Sequence, residues 1–265
     1  MTKANHKSTI FFAHANGFPS TTYRKFFSYL ESDFTIQAIE NVGHDLQYPW
    51  QSNWEHLALE LEHYLEKNFS SPVIGVGHSL GGGLHYITAL KRPELYQQLV
   101  ILDSPMYGEF KSIVLKFLKL FHLMGKITPS VSSSRRRNFW VSRDAAFDYF
   151  KNKPLYKNFD PDCLRDYVNF GMQDVSGGVR LIAEPEIEGE IFENLPDNLA
   201  WKKAKLPVTF VHAEQSHVIS KRDLQYLKRK FTVVSIPGSH LFPFEMPEKG
   251  AQCVRQIIQD RCAGE

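Results

Sequence analysis

Short, continuously apolar runs alternate along this chain with longer amphipathic segments, and that alternation restricts the fold more than any other feature. Residues 9–14, 34–39, 73–76, 99–102, 208–212 and 232–236 are rich in β-branched and aromatic side chains and are bounded by Gly, Pro, Asp or Ser. Runs of this length and composition read as strands. Their unbroken apolar character, without inside-outside alternation, implies strands covered on both faces. Helical spacing fills the gaps at residues 22–30, 53–69, 80–91, 221–230 and 247–259. Strand and helix taking turns predicts an α/β fold with a mostly parallel, doubly wound sheet and right-handed crossovers.

The rhythm stops between residues 104 and 205, where no core strand is evident. Residues 113–124, 144–150, 161–172 and 185–195 look helical there. The expected organisation is a core of residues 1–103 and 206–265, interrupted by a mostly helical cap at 104–205. Long insertions in compact domains commonly serve as lids or binding elements. The apolar stripe at 113–124 has two readings, ordinary core or a helix facing a substrate pocket.

Composition narrows the class. With 265 residues and 43% hydrophobic side chains the chain can bury one large core. A net charge of +2 gives no overall pull toward nucleic acid or an acidic membrane surface. Arg135-Arg136-Arg137 reads as a solvated loop or helix start. The three cysteines, Cys163, Cys253 and Cys262, are odd in number and lack metal-ligand spacing, which suits a reducing compartment. No leader-like segment and no long apolar span are evident, so a cytoplasmic protein without a membrane span is expected. Oligomeric state is not legible.

Gly77-His78-Ser79-Leu80-Gly81 has the form G-x-S-x-G. Alone the pattern is common. Here it follows an apolar strand and opens a helix, the setting of a nucleophile elbow. Glycines two before and two after Ser79 let neighbouring chain approach closely, and the Leu80 N–H lies at a helix start, where donors favour negative charge.

With these residues in view, the chain resembles the α/β-hydrolase superfamily, in its esterase- and lipase-like branch with a helical lid. His14-Ala15-Asn16-Gly17-Phe18-Pro19 is similar to the oxyanion segment, with Ala15 in place of a glycine. Val42-Gly43-His44-Asp45 is similar to the turn after the next strand. The segment from Gly238 through His240 to Glu248 is similar to the one bearing the family's histidine. The resemblance implies a triad in the order serine, acid, histidine, with Ser79 as nucleophile and His240 as base. His240 is the best placed of eleven histidines, since it follows the last expected strand. His14 and His78 are expected to be structural, and His44, His85, His122, His212 and His217 read as core or loop.

The acid departs from the pattern. Many relatives carry it after the next-to-last strand, and that position falls here on Ser216. Asp103, at the end of the strand following the nucleophile strand, is the preferred candidate, as in some superfamily members; Glu214 is the other. The resemblance places the oxyanion donors at Leu80 and Asn16, with Gly17 as the alternative to Asn16.

The chemistry so implied is acyl transfer from a small-molecule, hydrophobic carboxylic ester to Ser79 and then to water, without metal or organic cofactor. A thioester or a carbon-carbon bond beside a carbonyl would suit the same groups. Serine at the elbow argues against the dehalogenases and epoxide hydrolases of the superfamily, which use aspartate. A non-catalytic binding protein on this fold is the reading from another class.

Overall fold

The computed structural model describes residues 7–50 and 52–262. The polar N-terminal residues 1–6 and the side chain of Cys262 lie outside that description, and with them the expectations about a leader and about that cysteine.

Six parallel strands form one sheet in the order β2-β1-β3-β4-β8-β9. They are β1 (Thr9–Ala13), β2 (Thr35–Ala38), β3 (Val73–His78), β4 (Tyr96–Leu102), β8 (Val208–Ala213) and β9 (Thr232–Ile236), separated before β8 by a minor sheet described below. Helices α1 (Arg24–Ser28), α2 (Glu55–Asn68) and α3 (Leu80–Lys91) fall among the first four strands.

Successive residues of each inner strand enter opposite cores. Ile10 and Phe12 of β1, Ile74 and Val76 of β3, and Val100 and Leu102 of β4 pack with Phe26, Leu30, Val254 and Ile258. Phe11, Val73, Leu99 and Ile101 face the other way, against Leu57, Leu61, Leu84 and Ile87. A strand with one core on each face has no solvent side, which is why these runs are apolar without alternation. Every residue of β3 is buried, whereas the edge strand β2 is half exposed. The chain runs outward from β1 to β2 and then returns to the other side of β1 as β3. The carboxyl ends of β1 and β3 therefore flank a topological switch point, where open α/β sheets hold their ligands.

Between β4 and β8 lie α4 (Glu109–Leu120), α5 (Ser130–Ser134), α6 (Arg143–Lys151), α7 (Pro161–Phe170) and α8 (Pro185–Glu193). This stretch is not helical throughout. It also holds a three-stranded antiparallel sheet of β5 (Phe139–Trp140), β7 (Gly178–Leu181) and β6 (Met172–Val175). Val175 pairs with Gly178, so Ser176 and Gly177 make a two-residue hairpin loop, with Gly177 at φ +81°. The strands are too short for their apolar pattern to stand out, and β6 is half polar.

The stripe at 113–124 is not ordinary core. Leu115 and Met124 are buried, but Ile113, Val114, Phe117, Leu120 and Phe121 are exposed large hydrophobics. After β8 come α9 (Lys221–Lys228), then β9, α10 (Phe242–Glu245) and α11 (Pro247–Cys262).

Candidate active site

Ser79 sits between β3 and α3 at φ 52°, ψ −113°, a backbone conformation that L-residues rarely adopt. Close packing holds it there. The Ser79 N–H donates to the Leu102 carbonyl at 2.9 Å, and the Gly81 N–H donates to the His14 carbonyl at 3.0 Å. The elbow is thus pinned to β4 on one side and to the end of β1 on the other. A Cβ on Gly77 would lie 2.4 Å from Gly81 backbone, and one on Gly81 would lie 2.0 Å from the Ala13 carbonyl oxygen. No side chain fits at either position.

His240 lies in the loop between β9 and α10. Its Nε2 is 2.9 Å from Ser79 Oγ, and its Nδ1 is 2.8 Å from Asp103 Oδ2. Asp103 follows β4 at φ 43° and is fully buried. Its N–H donates to the Val211 carbonyl at 2.8 Å, and its Oδ1 accepts the Ala213 N–H at 3.2 Å. Both contacts reach β8, which pairs with β4, so the sheet itself fixes the carboxylate. Burial pushes the Asp103 carboxyl up, but contacts from His212, His240 and Ser216 outweigh it and hold the group well below the usual carboxylate range. Asp103 is therefore an anion aimed at an imidazole. Glu214, the other candidate acid, is exposed and makes its backbone contact with Ile236.

The segment from His14 to Pro19, expected to carry an oxyanion donor, is a tight turn. The Phe18 N–H donates to the Ala15 carbonyl at 3.0 Å, and Gly17 takes the left-handed position at φ +81°. Ala15 has already committed its N–H to the Tyr23 hydroxyl at 3.1 Å. Asn16 follows it, half-buried, with its side-chain amide donating to the Glu188 carbonyl at 2.9 Å. The Gly81–His14 bond brings this turn beside Leu80. His14 accepts the Val42 N–H through Nε2 at 2.8 Å, which leaves Nδ1–H to donate to the Ala15 carbonyl at 2.8 Å. Burial lowers its pKa to about 4, so it serves as a neutral brace.

His78 is a second brace. Tyr23 Oη lies 2.8 Å from His78 Nδ1, and His78 Nε2 lies 2.8 Å from the His240 carbonyl oxygen. Burial, then the neighbouring His240, lowers the His78 pKa to about 3. One tautomer satisfies every partner: Ala15 N–H to Tyr23 Oη, Tyr23 O–H to Nδ1, and Nε2–H to His240. This relay joins the turn at Ala15 to the loop of His240.

The sequence reading missed three residues here. His212, at the end of β8, places Nδ1 3.4 Å from Asp103 Oδ1. Ser216 is buried beside the same carboxylate. Tyr23 links two loops that are far apart in sequence. None has a motif of its own; Ser216 stands where the family pattern expects the acid, and His212 lies at a strand's carboxyl end. Among the described residues, no group of three or more His, Cys, Asp or Glu is placed to hold a metal ion.

Comparison with known proteins agrees with this architecture. The chain is 24% identical over 237 residues to 2-(acetamidomethylene)succinate hydrolase of Mesorhizobium japonicum, spanning 86% of this chain and 80% of that protein. It is 26% identical over 225 residues to ethanol acetyltransferase 2 of Hanseniaspora uvarum, spanning 79% of this chain and 64% of that protein, less than two thirds of it. The crystal structure of E-2-(acetamidomethylene)succinate hydrolase superposes with a TM-score of 0.77 at 23% identity, over 96% of this chain and 93% of that one, which is a likeness of fold. A family model described as serine aminopeptidase, S33 matches residues 4–173. That match covers more than half of the 265 residues, and the chain belongs to this family of α/β-hydrolase enzymes.

Proposed function

We propose that the protein is a serine hydrolase that cleaves a hydrophobic carboxylic ester through an acyl-enzyme on Ser79. The observation that carries this reading is the continuous line from Asp103 Oδ2 to His240 Nδ1 at 2.8 Å and from His240 Nε2 to Ser79 Oγ at 2.9 Å. In the proposed reaction His240 Nε2 takes the Ser79 proton as Oγ attacks the ester carbonyl. The N–H groups of Leu80 and Asn16 hold the developing oxyanion. Asp103 keeps the Nδ1–H tautomer and balances the imidazolium. The imidazolium then protonates the departing alcohol. Water then attacks the acyl carbon as His240 takes its proton, and His240 returns that proton to Ser79 Oγ as the Oγ–acyl bond breaks and the acid leaves.

A second reading, acyl transfer to an alcohol rather than to water, is favoured by the similarity to an ethanol acetyltransferase. We also assign residues 104–205 to a cap over this site. A reducing, cytoplasmic setting suits the free thiols of Cys163 and Cys253.

Labelling with a fluorophosphonate probe, together with turnover of p-nitrophenyl esters, tests the assignment. Ser79→Ala should abolish labelling and lower ester turnover on the order of 10³-fold or more while the protein stays folded. Labelling that persists at another serine, or a chain that never labels, overturns it. Adding ethanol to the assay separates the two readings, since a transferase forms the ethyl ester at the expense of free acid.

A further inference from the structure

Helix α4 is turned inside out for a water-exposed helix. Residues 110, 113, 114, 117, 120 and 121 recur at helical spacing and form one stripe roughly 120° wide. All six are large apolar side chains, and the stripe faces solvent, with Phe117 59%, Leu120 69% and Phe121 65% exposed. The opposite side packs against the protein, and two of its four inward residues, Ser112, Leu115, Leu118 and Lys119, are polar. Ser112 and Leu115 are buried, and Lys119 is held by Asn53 Oδ1 at 2.9 Å and Asp197 Oδ2 at 3.1 Å. A helix that turns a serine and a lysine inward and its phenylalanines outward is not explained by this chain's own core.

The surroundings are basic. Lys111 and Lys116 flank the stripe on its two sides. Lys116 Nζ lies 4.8 Å from the ring of Trp201, itself half exposed, and Arg222 Cζ lies 4.5 Å from the ring of Phe110. An open groove of about 1010 Å³ runs beside the helix. Phe110, Ile113 and Val114 form one wall, and Lys203, Arg222 and Arg229 stand on the other. Two acids border it. They are Glu109 at the helix start and Asp223, whose carboxylate accepts the Gly108 N–H at 2.9 Å and the Ser220 hydroxyl at 2.6 Å and pairs with Lys111 Nζ at 3.9 Å, so the excess rests on Lys116, Lys203, Arg222 and Arg229. The net charge of +2 conceals this local excess.

The geometry points to α4 as a docking helix for an anionic lipid bilayer, lying in the headgroup plane with Phe117, Leu120 and Phe121 inserted. An apolar face bordered by lysines, with an aromatic ring at the margin, is the pattern of an interfacial helix; the lysine stems lie along the apolar surface while the ammonium groups meet phosphate. Charge decides between occupants. A second copy of this chain would bring the same basic groups toward one another, whereas anionic phosphates neutralise them. The helix begins just after the loop that follows Asp103, so docking sets the carboxyl-end side of the sheet toward the bilayer. The inference stands apart from the ester reading.

Co-sedimentation of the full chain with vesicles of phosphatidylcholine, with and without phosphatidylglycerol, tests it. The protein should bind the phosphatidylglycerol vesicles, release in high salt, and bind pure phosphatidylcholine weakly. Phe117→Ser with Phe121→Ser should weaken binding about tenfold or more. Lys116→Glu with Arg222→Glu should remove the preference for the anionic lipid. All four positions are exposed, so melting temperature and turnover of a short, water-soluble ester should stay as in the parent protein. Absent binding, equal binding to both vesicles, or undiminished binding by the double serine variant overturns the inference. So does a dimer in light scattering that the serine substitutions dissociate, since a second copy then covers the stripe.

Discussion

Asp103 Oδ2 lies 2.8 Å from His240 Nδ1, while Asp103 Oδ1 lies 3.4 Å from His212 Nδ1 on the neighbouring strand. One buried carboxylate therefore faces two imidazoles from two different strand ends. The arrangement follows from sheet order. Strand β4 pairs with β8 with Leu102 opposite Val211, so Asp103, just past β4, comes level with His212 near the end of β8. Where many relatives extend an acid from the segment after β8, this chain has Ser216, buried beside Asp103.

Exchanging these acids distinguishes the two sources. Asp103→Asn keeps the side-chain shape but removes the anion, so the wrong imidazole tautomer becomes populated, with an expected fall in kcat of up to about 10⁴. Glu214→Gln, at an exposed position, should change kcat by less than about threefold. Steady-state kinetics on a p-nitrophenyl ester, with circular dichroism to verify folding, give the answer. A large loss in the Glu214 variant and a small one in the Asp103 variant would move the acid to the loop after β8.

Tyr23 offers a test of the relay behind the site. Tyr23→Phe leaves the Ala15 N–H and His78 Nδ1 without their partner in a buried setting, at a cost of about 1–3 kcal/mol in stability. Because the hydroxyl ties the oxyanion turn to the loop of His240, kcat should also fall, about tenfold, with KM little changed. Tyr23 touches no substrate in this scheme, and the kcat-against-KM split reports a positioning role. A variant that loses stability yet keeps kcat would make Tyr23 a packing residue only.

How much was legible depended on whether local chain carried the signal. Strand β3, the Ser79 turn and helix α3 could be read because a buried strand, a glycine-spaced turn and a helix start are all local features. His240 could be placed from its position after the last strand. Asp103 could only be offered beside Glu214, because the choice depends on which strand lies next to β4, and strand order is not written in any one segment. The relay from Ala15 through Tyr23 and His78 to His240 is non-local in the same way. The strands β5, β6 and β7 escaped notice because two to four residues give no measurable period, although Ser176-Gly177 marks a tight turn. The stripe on α4 was visible as periodic apolar residues, but the periodicity says that a face exists and not which way it points.

Glu60 carries the last prediction, on stability against pH. It sits in α2, largely buried, and its Oε2 accepts the Gly43 N–H at 3.1 Å, which holds the Val42-Gly43-His44-Asp45 turn. Burial pushes its carboxyl up to about 7; the Gly43 hydrogen bond opposes this and Asp45 adds to it. An unfolded chain releases the same proton near about pH 4.3. Below that pH both states are protonated and the group is neutral to stability. Between there and about pH 7 the folded state binds more protons than the unfolded one, so stability falls as pH rises. Above about pH 7 the loss is complete, on the order of 3 kcal/mol. Glu60→Gln stays neutral throughout and keeps an oxygen for the Gly43 N–H. Urea unfolding should therefore show the variant more stable than the parent at about pH 8, with the advantage shrinking to nothing near about pH 4. An advantage of equal size at both pH values, or a variant less stable at the higher one, would mean that Glu60 is ionised and compensated in the folded protein.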